Sequence, residues 1–241
     1  MTARTNRWSR GIVPLVLMAV LWPASAAFSE HPGKRQEGRD SARPPAPSLA
    51  RPTSPAKPAD ADGFIGRWLL LDPIRVPGQL TETAIRAAVE KDFPVPATPL
   101  PHDGATLTIG DSALTWHAVD TVNYNVNLYH FAYALNKPTT NVLFWAVTVV
   151  NAPREMSGLR LAIGSNAASV WWINGKEATA LYNDRQTVID DGVSKRLTLK
   201  AGANVIRAAI VNAGGATDFC ARFLDANDRP VKTLTATLTG Q

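Results

Sequence analysis

Residues 169 to 178 read SVWWINGKEA, two adjacent tryptophans just before an Asn-Gly pair. Asn-Gly between alternating runs is the strongest short-range hairpin signal, because a type I′ turn needs positive φ at both central positions. With Asn174 and Gly175 as the turn, Ile173 faces Lys176, Trp172 faces Glu177 and Trp171 faces Ala178. Strand side chains alternate between faces. One face therefore carries Trp171, Ile173, Lys176, Ala178, Ala180 and Tyr182, and is mostly apolar. The other carries Val170, Trp172, Glu177 and Thr179, and is mixed. The pleat thus divides the tryptophans: Trp171 is expected in a core, Trp172 on or near the surface. Lys176 sits at the tip, where its stem can lie on the core edge and its amine reach water.

The chain around this hairpin repeats the same grammar. ATLTI (105–109), ALTWHAV (113–119), NLYHFAYAL (127–135), SGLRLAIGS (157–165), NVIRAAIVN (204–212), DFCARFLD (218–225) and VKTLTATL (231–238) read as short strands separated by Gly, Asn and Pro turns. NVLFWAVTVV (141–150) is apolar almost throughout, as a central strand between two packed layers would be. One helix competes, TETAIRAAVEKDF (81–93). Thr81 can cap it, and Ala84, Ile85, Ala88 and Val89 form one stripe. Pro94, Pro96, Pro99 and Pro101 then force a loop. The pattern predicts an all-β fold, an antiparallel β-sandwich over 61–241 with one short helical insertion.

The first sixty residues read differently. Arg4, Arg7 and Arg10, the apolar run Ile12–Trp22 and Ala24-Ser25-Ala26 make a secretory signal over 1–27. Its eleven apolar residues fall short of the ~20 that span a bilayer. The mature chain is thus expected to have no membrane span and to be periplasmic or secreted. Residues 28–60 hold seven prolines and no hydrophobic period, which predicts a disordered tether.

Charge follows this division. The whole chain carries a net +5, but the leader and tether account for it: residues 61–241 hold sixteen basic and sixteen acidic side chains. A domain that binds nucleic acid usually shows a basic excess on its folded part, so nucleic acid is discounted as a partner. Cys220 is the single cysteine, which excludes an internal disulfide and predicts a packed, inert thiol.

The stretches VWWINGKEA and LTLKAGANVIRAAIVNAGGATDFCARFLDANDRPV resemble the galactose-binding-like jelly rolls of the sugar-binding domain of glycoside hydrolase family 2, and related modules of secreted bacterial proteins. The matching residues are Trp172, Asn174, Gly175, Lys176, Leu199, Lys200, Gly202, Asn204, Asn212, Phe219, Arg222 and Phe223. Asp72 stands where the opening segment of those modules carries Gly. The resemblance implies a jelly-roll sandwich and, loosely, association with carbohydrate. It assigns no role to residues 81–101.

Motifs for catalysis are weak. Gly110-Asp111-Ser112 invites comparison with Gly-Asp-Ser-Leu hydrolases, but no Asp-x-x-His follows to activate a serine, and a hairpin turn explains it. His117 and His130 have no metal-pair spacing, and Asp190-Asp191 reads as a solvated turn that can also offer oxygens to Ca²⁺. No catalytic residue, cofactor or metal ligand is expected. Two roles suit Trp172: packing under a neighbouring loop or the N-terminal strand, or stacking on a sugar ring whose hydroxyls bond nearby polar groups. The second defines a candidate ligand site of Trp172, Lys176, Tyr182, Asn183, Asp184 and Arg185. The expected function is an exported, non-catalytic, carbohydrate-associated module. The alternative is a protein-interaction or structural module of the bacterial envelope, with a glycan or an envelope protein as partner.

Overall fold

The computed structural model describes residues 48–91 and 100–239. In chain order the elements are β1 (Leu49–Ala50), β2 (Lys57–Pro58), β3 (Arg67–Leu71), β4 (Ile74–Arg75), α1 (Glu82–Lys91), β5 (Thr106–Ile109), β6 (Ser112–Thr121), β7 (Val126–Asn127), α2 (Leu128–Ala134), β8 (Val142–Ala152), β9 (Met156–Ser165), β10 (Ala168–Ile173), β11 (Lys176–Leu181), β12 (Gly192–Val193), β13 (Leu197–Leu199), β14 (Gly202–Asn212), β15 (Asp218–Leu224) and β16 (Thr235–Thr237). The large sheet runs β1-β6-β3-β8-β14-β10-β11, and the small sheet β12-β9-β15-β7. Neighbouring strands pair antiparallel, for example β14 with β8 and β15 with β9. This is the expected all-β sandwich.

β8 shows why its sequence is apolar on both faces. Val142, Phe144, Ala146 and Val150 face the layer between the sheets. Leu143, Trp145 and Val147 face a second apolar layer on the far side. The inner layer centres on Trp68, Trp171 and Phe219. Trp68 meets Trp171 edge-on at 6.1 Å and Phe219 at 5.0 Å. Both indole N–H groups are satisfied: Trp68 donates to the Ile65 carbonyl at 2.8 Å and Trp171 to Ser169 Oγ at 2.9 Å. Buried aromatics with bonded polar tips are the stable form of such a core.

The hairpin forms as its sequence requires, with Asn174 at φ 50° and Gly175 at φ 81°. Asn174 Oδ1 accepts from Val205 N at 2.9 Å, and its Nδ2 donates to Asn204 Oδ1 at 3.0 Å. Asn204 in turn donates to the Lys200 and Gly202 carbonyls. Two turns are thereby locked together at one end of the sandwich.

Three expectations are corrected. First, Ile173 faces Lys176 and Trp172 faces Glu177 as expected, but a β-bulge between Trp171 and Trp172 sets Trp171 against Thr179. Two residues then oppose one. The bulge transfers Ala180 and Tyr182 to the Trp172 face, while Thr179 faces Trp171. Second, residues 127–135 are not a strand. Asn127 ends β7 and caps α2, its Oδ1 accepting from His130 N at 2.8 Å. Leu128, Phe131 and Ala132 are the buried stripe. Third, residues 48–60 are part of the sandwich, not of a tether. Leu49 pairs with Thr121, and Pro58 with Thr235. Proline tolerates such short edge strands. Arg67, 1% exposed, needs buried acceptors. Asp120 supplies two at 2.8 Å and the Ser54 carbonyl a third at 2.7 Å. The leader and the remaining tether residues lie outside the described residues. No described helix is long and apolar enough to cross a membrane.

Candidate functional site

The helical insertion occupies the outer face of the hairpin. Ala84 N donates to Thr81 Oγ1 at 3.4 Å, so Thr81 caps α1. Glu82 complements the positive end of the helix. Ile85 and Val89, one turn apart, are buried with Val170 in the outer apolar layer. That docking brings Arg86 over the sheet. Its Nη1 and Nη2 donate to the two Glu177 carboxylate oxygens at 3.0 and 3.2 Å, and its Nε to Glu82 at 2.9 Å. The planar fork matches a carboxylate in both geometry and charge. Bonds to Glu177 and Glu82 hold the Arg86 guanidinium above its usual pKa. Arg86 also lies over the Tyr182 ring, 5.8 Å from its centroid. Burial, with Glu82 and Glu177 nearby, holds the Tyr182 phenol above its ordinary value.

Trp172 is half-buried beside this ion pair. Its ring lies 5.8 Å from Trp145, tilted by 31°. A cleft of about 410 Å³ opens there, lined by Arg86, Val89, Glu90, Val170, Trp172 and Glu177. It combines a supported aromatic face, an aliphatic wall and a rim of fixed hydrogen-bonding groups.

The six residues expected to form one site do not converge. Trp172 and Tyr182 share the outer face and flank Arg86, an arrangement created by the bulge. Lys176 is exposed and lines a different cleft, with Ile173, Asn174 and Lys195. Asn183, at φ 68°, donates its backbone N–H to the Leu80 carbonyl at 2.8 Å and so anchors the approach to α1. Arg185 bonds Asp191 at 2.6 Å and the Tyr182 carbonyl at 3.3 Å, shaping the loop. Asp184 is simply exposed. The residues missed were Arg86 and Glu90, four apart on α1, and Glu177, already opposite Trp172. The α1 stripe signalled that the helix covers something. Nothing local said what.

Other motifs resolve structurally. Gly110-Asp111-Ser112 turns β5 into β6, with Ile109 paired to Ser112. Asp190 bonds Arg222 through both oxygens, at 2.9 Å from its Oδ1 to Nε. Asp191 is taken by Arg185, so guanidinium groups occupy both carboxylates. Among the described residues no cluster of three or more His, Cys, Asp or Glu side chains could hold a metal ion. Cys220 is 1% exposed, and burial pushes its thiol pKa up to about 12.

No protein-family model and no curated protein matches this chain. Among solved structures it is similar to a beta-glucosidase from Kluyveromyces marxianus in complex with glucose, at 14% identity and a TM-score of 0.38, over 73% of this chain and 19% of that one. It is also similar to the PA14 domain of the antifreeze protein MpAFP, at 12% identity and a TM-score of 0.40, over 80% and 98% of the respective chains. An alpha-xylosidase from Xanthomonas citri is similar at 11% identity and a TM-score of 0.28, over 77% of this chain and 22% of that one.

Proposed function

We propose that this β-sandwich is an exported, non-catalytic, carbohydrate-associated module that holds a saccharide in the Trp172 cleft. One observation carries the reading: a partly exposed indole, backed by a second tryptophan, beside a bidentate Arg86–Glu177 pair and Glu90. A pyranose presents an apolar C–H face ringed by hydroxyls. The indole suits the face, and carboxylate and guanidinium groups suit the hydroxyls. The Arg86–Glu177 bonds hold those groups in place before a ligand arrives, which lowers the entropy cost of binding. Carboxylates and a guanidinium on the rim also disfavour a purely apolar ligand, whose entry would desolvate them without replacing their hydrogen bonds.

The alternative is an envelope protein docking through β11, the terminal strand of the large sheet's path. The bulge and the charged pair Lys176 and Glu177 are features that protect a strand edge from pairing. They weigh against it.

The test is a glycan array probed with the full chain and with Trp172→Ala, each checked by thermal melting. Trp172→Ala is expected to weaken the strongest signal at least about tenfold, some 1.4 kcal/mol, while the protein stays folded. A blank array, or a signal indifferent to Trp172, overturns the saccharide reading. Loss of one co-purifying envelope protein when β11 is altered would establish the alternative.

A further inference from the structure

A second cleft, of about 500 Å³, opens between β4, the turn of the β5–β6 hairpin and the segment after α2. Its walls are largely apolar, including Ile74, Leu114 and Pro138. The charged side chains that line it are Arg75 and Lys137, and no acid is among the described lining residues. Two acids adjoin lining residues along the chain: Asp72, just before Pro73, and Asp111, on the hairpin turn.

Both cations are carried on fixed backbone. Lys137 follows α2 in a Schellman motif: Asn136 takes φ 55°, Asn136 N donates to the Tyr133 carbonyl at 3.0 Å, and Lys137 N to the Ala132 carbonyl at 2.9 Å. Its ammonium is pinned 3.2 Å from Asp72 Oδ2. Asp72 is buried and has two further partners, Thr115 N and His117 Nε2, each at 3.1 Å. A lysine has three N–H donors, so one bond to Asp72 leaves two. Arg75 is held by the pairing of β4 with β8 and by Val76 N donating to the Asn141 carbonyl at 3.0 Å. Its guanidinium is exposed and enters no ion pair among the described residues.

Asp72 offsets Lys137, so among the described residues that line the cleft Arg75 supplies the excess positive charge, while Asp111 on the hairpin turn does not line it. This is the reverse of the Trp172 cleft, where Glu90 and Glu177 outnumber Arg86. We infer that the Arg75–Lys137 cleft binds the oxyanion of a ligand, a carboxylate, sulfate or phosphate, whose less polar body lies on Ile74, Leu114 and Pro138. The inference does not depend on a saccharide occupying the Trp172 cleft, because no described residue lines both.

The test is calorimetric titration of the full chain at low and high salt. The probes are an oligogalacturonate, inorganic sulfate, inorganic phosphate and a neutral dextran oligosaccharide. At least one anionic probe is expected to bind, to weaken several-fold as salt screens the contact, and to outcompete dextran. Arg75→Gln is expected to weaken it at least fivefold with an unchanged melting temperature, since Arg75 supports no ion pair among the described residues. Lys137→Gln, which also strips Asp72 of a partner, is read with its melting curve. Binding of oligogalacturonate alone identifies an acidic sugar; equal binding of phosphate or sulfate identifies a free-anion site. The inference is overturned if no anionic probe binds at low salt, if dextran binds as well, or if Arg75→Gln binds like the wild type. Trp172→Ala is expected to leave this binding unchanged. If it abolishes the binding, the two clefts are not separate and the inference fails.

Discussion

The two faces of the large sheet are built from the same kinds of residue yet end in different states. On the inner face Trp68 and Trp171 meet edge-on with each other and with Phe219 of the small sheet, which seals them. On the outer face Trp145 and Trp172 tilt together under a helix of ten residues and a hairpin. A sheet closes over a sheet along its whole length. A short helix covers only a stripe, and the margins of the outer face that the described residues leave open are where the two clefts lie. Partial cover on a rigid layer, more than any motif, creates binding space here.

The contrast breaks most directly at the adjacent tryptophans. Trp171→Ala empties a sealed core and strands the Ser169 hydroxyl; it is expected to cost about 3–5 kcal/mol and to lower the melting temperature by roughly 10 °C. If thermal unfolding shows the same loss for Trp171→Ala and Trp172→Ala, the two faces are equivalent and the contrast is lost.

Cys220 tests whether a face outside the sandwich is also closed. A loop crosses the small sheet so tightly that a Cβ on Gly164 would lie 2.2 Å from the Val188 carbonyl oxygen. With its pKa moved from 9.0 to about 12, the thiol should react with a disulfide reagent at pH 8 at least about tenfold more slowly in the folded chain than in urea. The folded thiol keeps its proton where the unfolded chain has released it. Stability should therefore fall as pH rises from 9.0 toward about 12. Cys220→Ser should reduce that slope in urea melts, leaving the part due to Tyr182; labelling at equal rates in both states would show the loop to be open.

Smaller effects sharpen the outer face. Trp172→Ala, half-buried, is expected to cost about 1–2 kcal/mol by chemical denaturation. Arg86→Ala breaks a pair whose side chains are 42% and 40% exposed. It should cost under about 1 kcal/mol and become neutral in high salt. A larger, salt-independent loss would mean that α1 is fastened by Arg86 rather than by Ile85 and Val89.

How much of this was legible follows from the range of the forces involved. Asn174-Gly175 announced its turn because positive φ is a local steric matter. The apolar run of β8 announced a strand buried on both faces, because no other layer arrangement hides it. The bulge was invisible: one extra residue leaves composition unchanged yet turns Tyr182 to the other face. The α2 segment reads as a strand although Asn127 can cap and Leu128, Phe131 and Ala132 fall at helical spacing, because seven residues also fit a strand. Residues 48–60 look like tether because Pro52, Pro55 and Pro58 interrupt them and no hydrophobic period runs through them, and the buried guanidinium of Arg67 that requires them lies outside the segment.

By itself, then, the sequence determined what is decided within a few residues: where the chain bends, which side chains share a face, and that the whole is β-rich. Tertiary structure alone decided what covers each face. Cover depends on pairings between residues 40 to 180 positions apart, such as Asp72 with His117, Arg86 with Glu177 and Pro58 with Thr235. No local pattern carries that information, because such contacts form only once the layers have been brought together.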